Sequence, residues 1–505
     1  MNDRDSEIAS MASSRATKKR TPKYIKPTQK LIETLLNKIS EVISSKDDNQ
    51  EKLDELGNYL KTEYDKILPP DSQEPAIFSE LLLTTISTFK NPTESIKLLS
   101  KLAVDQNILD RKEHKRVYKA LIVKEIGFDT EKLKSFKFTP TPLKPSGKFT
   151  LEQYDAFLER LVKEQDEEVA KIEQEKIMPV FEQFIAIMDQ VDFKSMGLND
   201  ITFSIFGSFV NNFGTSGGDI DVSLNTHNYV DERALLKLIY ECYLQELDKE
   251  DELKISLHNG NGIRIPLIKF EFVKYEFSLD LCVNNLLGVI NSKLLYVYSI
   301  VDDRCEKLGK LVKIWAKNNK ICSGQNAISS YGFLLMMINY LQMVDPPVLP
   351  SLQELNSDKR EPAYLRIKRV FENGFKFDDE LRLDFETDLE SIGKAFPKRN
   401  KMGLWELLTG FFEFFSKVYP EIKATLSIKH GQMIPRKGWS HKLKKYSNKN
   451  AESFYISIED PFDVHDPGRN ISTGNESVIK EKIEKTYQVM SEFNKTFVEV
   501  FTNST

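Results

Sequence analysis

Two aspartates one residue apart inside an apolar run constrain this chain more than any other feature. The run spans 205–224 and reads IFGSFVNNFGTSGGDIDVSL. Side chains on a strand alternate between its faces, so Asp219 and Asp221 share one face while Ile220 and Val222 turn toward the core. Two neighbouring anions repel, and the arrangement calls for a positive partner between them, for which a divalent metal ion is the natural candidate. A third carboxylate stands in KYEFSLDLCVNN. There Lys274, Glu276 and Ser278 alternate with Tyr275, Phe277 and Leu279, which predicts a strand that brings Asp280 to the pair.

A lone D-x-D is more often a solvated strand end or a loose cation site. The order adds force: Gly207-Ser208, a polar loop, the paired acids, then a third acid on a later strand. Three acids on a sheet with a Gly-Ser turn upstream make a constellation for Mg²⁺ and a nucleoside triphosphate.

At 505 residues the chain has room for two to four domains, and 40% apolar with 29% charged residues describes a soluble globular protein. The net charge of −5 is silent on nucleic acid, so basic surface must be sought locally. No apolar run reaches the roughly 18 residues of a membrane span. The N-terminus carries Asp3, Asp5 and Glu7 and lacks the basic-then-apolar order of a signal peptide, which reads as an intracellular protein. Cys242, Cys282, Cys305 and Cys322 are too scattered for a disulfide framework or a zinc site and read as buried thiols.

Residues 1–27 read as a disordered basic tail, for RNA contact or nuclear import. Over 28–137 Leu31, Leu35, Ile39 and Val42 stand at helical spacing, with further amphipathic stretches at 77–88 and 116–126, so an accessory helical module is expected there, with a protein partner as one use. The proline-rich stretch 138–150 marks a linker. Thr150 and Gln153 then offer a capping box, and the helix after it is expected to break or kink at Pro179.

Lys313 and Lys317, four apart, share one helix face and become candidates to neutralise a triphosphate. Ser330 and Tyr331 open an apolar helix, where a tyrosine facing a cleft can stack on a base. A charged, irregular region is expected up to Arg399. Between 422 and 451 there are eight Lys/Arg and no acid, among them Arg436, Lys437, Lys442, Lys444 and Lys445, interleaved with Trp439 and Tyr446. This is either an RNA-facing patch or a solvated loop. The phrase IEDPFDVHDPGRN at 458–470 packs Asp460, His465 and Arg469 into one loop, and an amphipathic helix is expected to close the chain.

Taken in order, GS…DIDV, LDLCVNN, INSKLLYVYS, LVKIWAKNNKI, ISSYGFLLMMINYLQ, PPVLPSLQ, LTGFFEFFSKVYP, KGWS and IEDPFDVHDPGR resemble the non-canonical poly(A) polymerase and terminal uridylyltransferase family of the DNA polymerase β superfamily. The resemblance covers roughly 151–501. It implies an α+β fold: a polymerase β-like nucleotidyltransferase domain with a mixed five-stranded sheet at 191–300, across a cleft from a mostly helical central domain at 301–475. Helices at 151–190 would belong to the central domain, and a helix at 476–505 would dock on the core.

By match of motif, Asp219, Asp221 and Asp280 would hold two Mg²⁺ (or Mn²⁺) ions. Gly207 and Ser208 would contact phosphate, and Asn291 the ribose. Lys313, Lys317 and Ser330 would bind the triphosphate, and Tyr331 would stack on the base. Asp460 and His465 would recognise it, the imidazole favouring uracil, and Arg469 would anchor the loop or touch RNA. The loop departs from the family pattern by one residue fewer before H-x-x-G-R and by Pro467 before the glycine. The resemblance thus implies addition of UMP from UTP to an RNA 3′ end by a cytoplasmic monomer. ATP as the nucleotide, an inactive RNA-binding scaffold, and transfer to a non-RNA acceptor are the alternatives.

Overall fold

Apolar residues at every second position build the sheet that carries the acids. The computed structural model describes residues 133, 135–142, 150–227, 230–249, 251–260, 263–322, 327–356, 363–370, 376–444, 450–472, 474 and 476–492. The expected basic tail, nearly all of the accessory module, most of the linker, and Lys445 lie outside the described residues.

Five strands, β1 (Ile201–Phe206), β2 (Ile220–Thr226), β3 (Leu253–His258), β4 (Leu267–Phe272) and β5 (Phe277–Val283), form one mixed sheet in the order β1-β2-β5-β4-β3. Only the β2–β5 pair is parallel. Ile220, Val222, Leu224, Ile268, Phe270, Phe272, Leu279 and Leu281 are buried on one face, against Val180, Phe184 and Met188 of the helix Met178–Met188 and Leu235, Leu236 and Ile239 of the helix Glu232–Ile239. Phe184 meets Phe270 edge to face at 5.5 Å. The opposite face carries Asp221, Asp280 and Lys269, and the helix Leu286–Val301 packs against its β1–β2 side. Period-2 alternation thus sends apolar atoms one way and charge the other.

Strand β5 starts later than the alternation predicts. Val273–Tyr275 form a turn of 3₁₀ helix and Glu276 adopts a left-handed conformation, because the chain must reverse between antiparallel β4 and β5. Pro179 does not break its helix either. The helix Leu151–Ile172 passes through a π turn at Glu173–Ile177 into Met178–Met188, and the wider turn accommodates the missing N–H of the proline. Gln153 Oε1 accepts from Thr150 N–H at 2.8 Å, one half of the capping box.

The second body is helical. The helices Asp303–Asn318, Ser330–Met343 and Leu404–Glu413 pack around Trp315, whose ring centroid lies 4.8 Å from Phe412 and whose N–H donates to Thr486 at 2.8 Å. That hydrogen bond, with buried Ile479, Ile483 and Met490, seats the helix Ser477–Glu492. The helix Leu151–Ile172 packs against this body, whereas its continuation Met178–Met188 lies under the sheet.

The region before Arg399 is more ordered than expected. It holds an antiparallel hairpin, β6 (Tyr364–Val370) with β7 (Lys376–Arg382), and the helix Leu389–Ala395. Three short strands, β8 (Ala424–Ser427), β9 (Gln432–Pro435) and β10 (Ser457–Glu459), form a small sheet in the order β10-β8-β9. Cys242 is exposed rather than buried, while Cys282 and Cys305 are buried. Among the described residues no helix is long and apolar enough to cross a membrane.

Candidate active site

Register brings the acids together. In the parallel β2–β5 pair Asp221 stands directly opposite Asp280, and Asp219 precedes β2 by one residue. Burial and then the charges of Asp219 and Asp280 push the Asp221 carboxyl up to about 7. Burial also raises Asp280, against the pull of Lys269. A carboxyl raised by burial first and by like charges second marks a site that a bound cation would favour. Among the described residues no three acids already converge closely enough to cage a metal ion, yet Asp219, Asp221 and Asp280 present on one sheet face the oxygen-donor chemistry that a hard divalent cation takes.

Lys269 is one residue that reading the sequence missed. In the antiparallel β4–β5 pair it stands opposite Asp280, and its Nζ lies 2.7 Å from Asp280 Oδ1 and 4.0 Å from Asp219 Oδ2. Burial opposes its charge, but the hydrogen bond and charge of Asp280 hold its pKa above the ordinary lysine value. The alternation in IPLIKFEF places Lys269 on the polar face; only register shows that this face is the acids' own.

Gly207 is placed differently from the expected phosphate contact. Its N–H donates to Ser292 Oγ at 2.8 Å, and its φ of +79° suits glycine. A Cβ built there would meet Asp221 Oδ2 at 2.0 Å, so the glycine makes room for the catalytic-candidate carboxylate. Ser208 adjoins Gly218 on the loop that leads to Asp219.

That loop is held from the helical body. Phe213 is fully buried against Gly309, Lys313 donates to the Phe213 carbonyl, and Lys317 donates to Ser216 O at 3.0 Å and to Thr215 Oγ1 at 3.3 Å. Both lysines therefore point from one helix face to the segment just before Asp219, as their spacing predicts. Burial, then the charge of Lys317, lowers Lys313 to about 8. Gln165, from the helix Leu151–Ile172, accepts from the Ser216 hydroxyl at 3.2 Å and steadies the same loop.

In the helical body, Tyr331 donates to Asp460 Oδ2 at 3.1 Å, and Ser330 adjoins it at the helix start, where Ser329 provides the cap. Burial raises the Asp460 carboxyl, and its other oxygen accepts from the N–H groups of Phe462 and Asp463. Asp463 in turn receives Arg264 from the β3–β4 connection at 2.7 Å, a bridge from the sheet body to this loop that the sequence did not suggest. Arg469 Nη1 lies 2.6 Å from Nδ1 and 3.0 Å from Nε2 of His465. Asn291, on the helix Leu286–Val301, holds a buried Oδ1 without a hydrogen-bond partner among the described residues.

The basic stretch divides. Lys437 and Lys444 are exposed, and Lys442 lies 3.6 Å from Glu459 and over the Trp439 ring. Arg436 departs from the expected RNA contact: it is 7% exposed and donates to Ala424 O, Phe454 O and Tyr419 Oη. Its guanidinium ties β8 to the segment before β10, and helix periodicity turned it inward while Lys437 turned out.

Residues 160–300 match the family described as poly(A) RNA polymerase, mitochondrial-like, central palm domain, and residues 403–466 match the Cid1 family poly A polymerase. Terminal uridylyltransferase 4 of Homo sapiens is 29% identical over 275 residues, 53% of this chain and 15% of that protein. Poly(A) RNA polymerase cid11 of Schizosaccharomyces pombe is 25% identical over 301 residues, 57% of this chain and 54% of that protein. The chain thus spans between about a seventh and about half of the length of these relatives. A crystal structure of Cid1 poly(U) polymerase with Mg 3′-dATP bound shares the fold, with a TM-score of 0.52 and 24% identity over 69% of this chain and 98% of that one.

Proposed function

We infer that this chain, which belongs to the non-canonical poly(A) polymerase and terminal uridylyltransferase family, adds UMP from UTP to RNA 3′ ends without a template. The observation that carries the reading is the register of Asp221 on Asp280, with Asp219 one residue upstream of β2. Asp219, Asp221 and Asp280 would hold two Mg²⁺ or Mn²⁺ ions, which when bound supply charge neutralisation and an activated 3′-hydroxyl. The chain's own residues do the rest. Lys313 and Lys317 set positive charge at the loop before Asp219, where a triphosphate would lie. Asn291 Oδ1 is free to accept from a ribose hydroxyl. Tyr331, fixed by Asp460, offers a ring for the base, and the imidazole of His465 would crowd a purine more than a pyrimidine. Exposed Lys437 and Lys444 supply charge for the RNA backbone.

Purified protein given a short RNA, Mg²⁺ and one nucleoside triphosphate at a time is expected to extend the RNA with UTP. An ATP preference would replace the uridylyl reading with the adenylyl one. The adenylyl reading has its own support in relatives named poly(A) RNA polymerases and in the engagement of His465 by Arg469 within its loop. A His465→Ala protein that still prefers UTP would remove His465 from the explanation.

Lys313 adds a pH signature. A lysine with pKa about 8 is charged below that pH and neutral above it, so attraction for a triphosphate falls as pH rises. KM for UTP is expected to be flat below about pH 8 and to rise about tenfold above it, the scale of one charge-assisted hydrogen bond. Lys313→Arg stays charged and should flatten the profile.

A further inference from the structure

We propose that Lys269 is the internal counter-cation of the carboxylate site, so that divalent metal binds in competition with its ammonium and Lys269 sets how tightly the ion is held. The inference rests on the metal reading given above and goes beyond it, because it concerns the state of the site before the ion arrives.

Lys269 sits in the interior of the sheet, on β4 between β3 and β5. Its backbone position is fixed by pairing on both sides, opposite Ser256 and opposite Asp280. The side chain has three oxygens within reach on the acids' face: Asp280 Oδ1 at 2.7 Å, Ser278 Oγ at 3.4 Å and Asp219 Oδ2 at 4.0 Å. It is only a quarter exposed, so water screens these contacts less than on an open surface. The ammonium thereby spans two of the three carboxylates.

A divalent ion bound by Asp280 would share a carboxylate that already carries an ammonium at hydrogen-bond distance. Two cations on one carboxyl repel. Either the lysine swings away, losing its ion pair, or it stays and weakens the ion. In both cases removing the charge of Lys269 should tighten metal binding, which is the reverse of what loss of a merely structural residue would do.

The test is a titration of the full chain with Mn²⁺ alone, at about pH 8, reading free Mn²⁺ by electron paramagnetic resonance. Lys269→Met keeps the length of the stem and removes the charge, and its Kd is expected to fall about tenfold, or about 1.4 kcal/mol. Lys269→Arg keeps the charge and is expected to stay within about threefold of wild type, the spread that keeping the cation allows. Thermal midpoints give a second readout. The metal-free Met protein should melt lower than wild type and regain more on adding Mn²⁺. Should the Met protein not fold, Lys269→Gln carries the same expectation. Equal or weaker Mn²⁺ binding by a folded neutral variant overturns the inference. An Asp219→Asn, Asp221→Asn protein separates the two readings: if it binds Mn²⁺ as wild type does, the metal reading itself is overturned.

Discussion

Replacing Asp221 with asparagine is expected to reduce RNA extension about a thousandfold or more, about 4 kcal/mol of transition-state stabilisation, with the metal-free fold intact. The side chain lies between Asp280, opposite it across the parallel pair, and Gly207, whose missing Cβ leaves room for the carboxylate. An amide has nearly the same shape and fits the same space. It cannot offer a hard cation the anionic oxygen that the proposed metal role of Asp221 requires. Because Asp221 is crowded by two like charges and by burial, its loss removes repulsion from the metal-free protein. Thermal unfolding without metal should therefore show a variant at least as stable as wild type. Activity retained within tenfold would sink the assignment of Asp221 to the chemistry.

The second large effect concerns stability. Arg436→Met is expected to destabilise the protein by about 2 kcal/mol, because the buried guanidinium's hydrogen bonds to Ala424 O, Phe454 O and Tyr419 Oη are lost, although Ala424 O keeps the Tyr419 hydroxyl and Tyr419 Oη keeps the Ser457 N–H. Ala424 O, Phe454 O and Tyr419 Oη all lie in the interior, and no solvent reaches them to take over. Denaturant titration of the variant should show a lower midpoint with an unchanged slope. The neighbouring Lys437→Ala, on the exposed side, should leave the midpoint where it is and weaken RNA binding instead, in a salt-dependent way. An Arg436→Met protein of wild-type stability with weakened RNA binding would restore Arg436 to the surface patch.

These two residues show where sequence reading succeeds and where it stops. The alternation around Asp219 and Asp221 fixed their shared face, since strand side chains alternate whatever the neighbours are. The four-residue spacing of Lys313 and Lys317 likewise put both on one helix face. Within 422–451, by contrast, acid-free composition left open an RNA-facing patch or a solvated loop, with Arg436 counted among the RNA contacts. The helix Arg436–Lys444 has an inner side, and Arg436, Trp439, Ser440 and Leu443 occupy it. Charge alone does not say which side of a helix is buried.

The same limit explains Lys269, Arg264 and Gln165, each close to the candidate site and none carrying a motif. Lys269 reaches the acids through strand register, Arg264 through a bridge to Asp463, and Gln165 through a helix that abuts the loop before Asp219.

Periodicity, spacing and motif order are local properties of a chain, and they were enough to give the acids, the lysines and the apolar helices, while the mixed sheet was implied by the family resemblance. Which carboxylate faces which, what cation lies between them, and which arginine is interior depended on pairings between segments far apart in the chain. Those pairings are chosen by the burial of whole faces at once, and no short stretch of residues contains that choice.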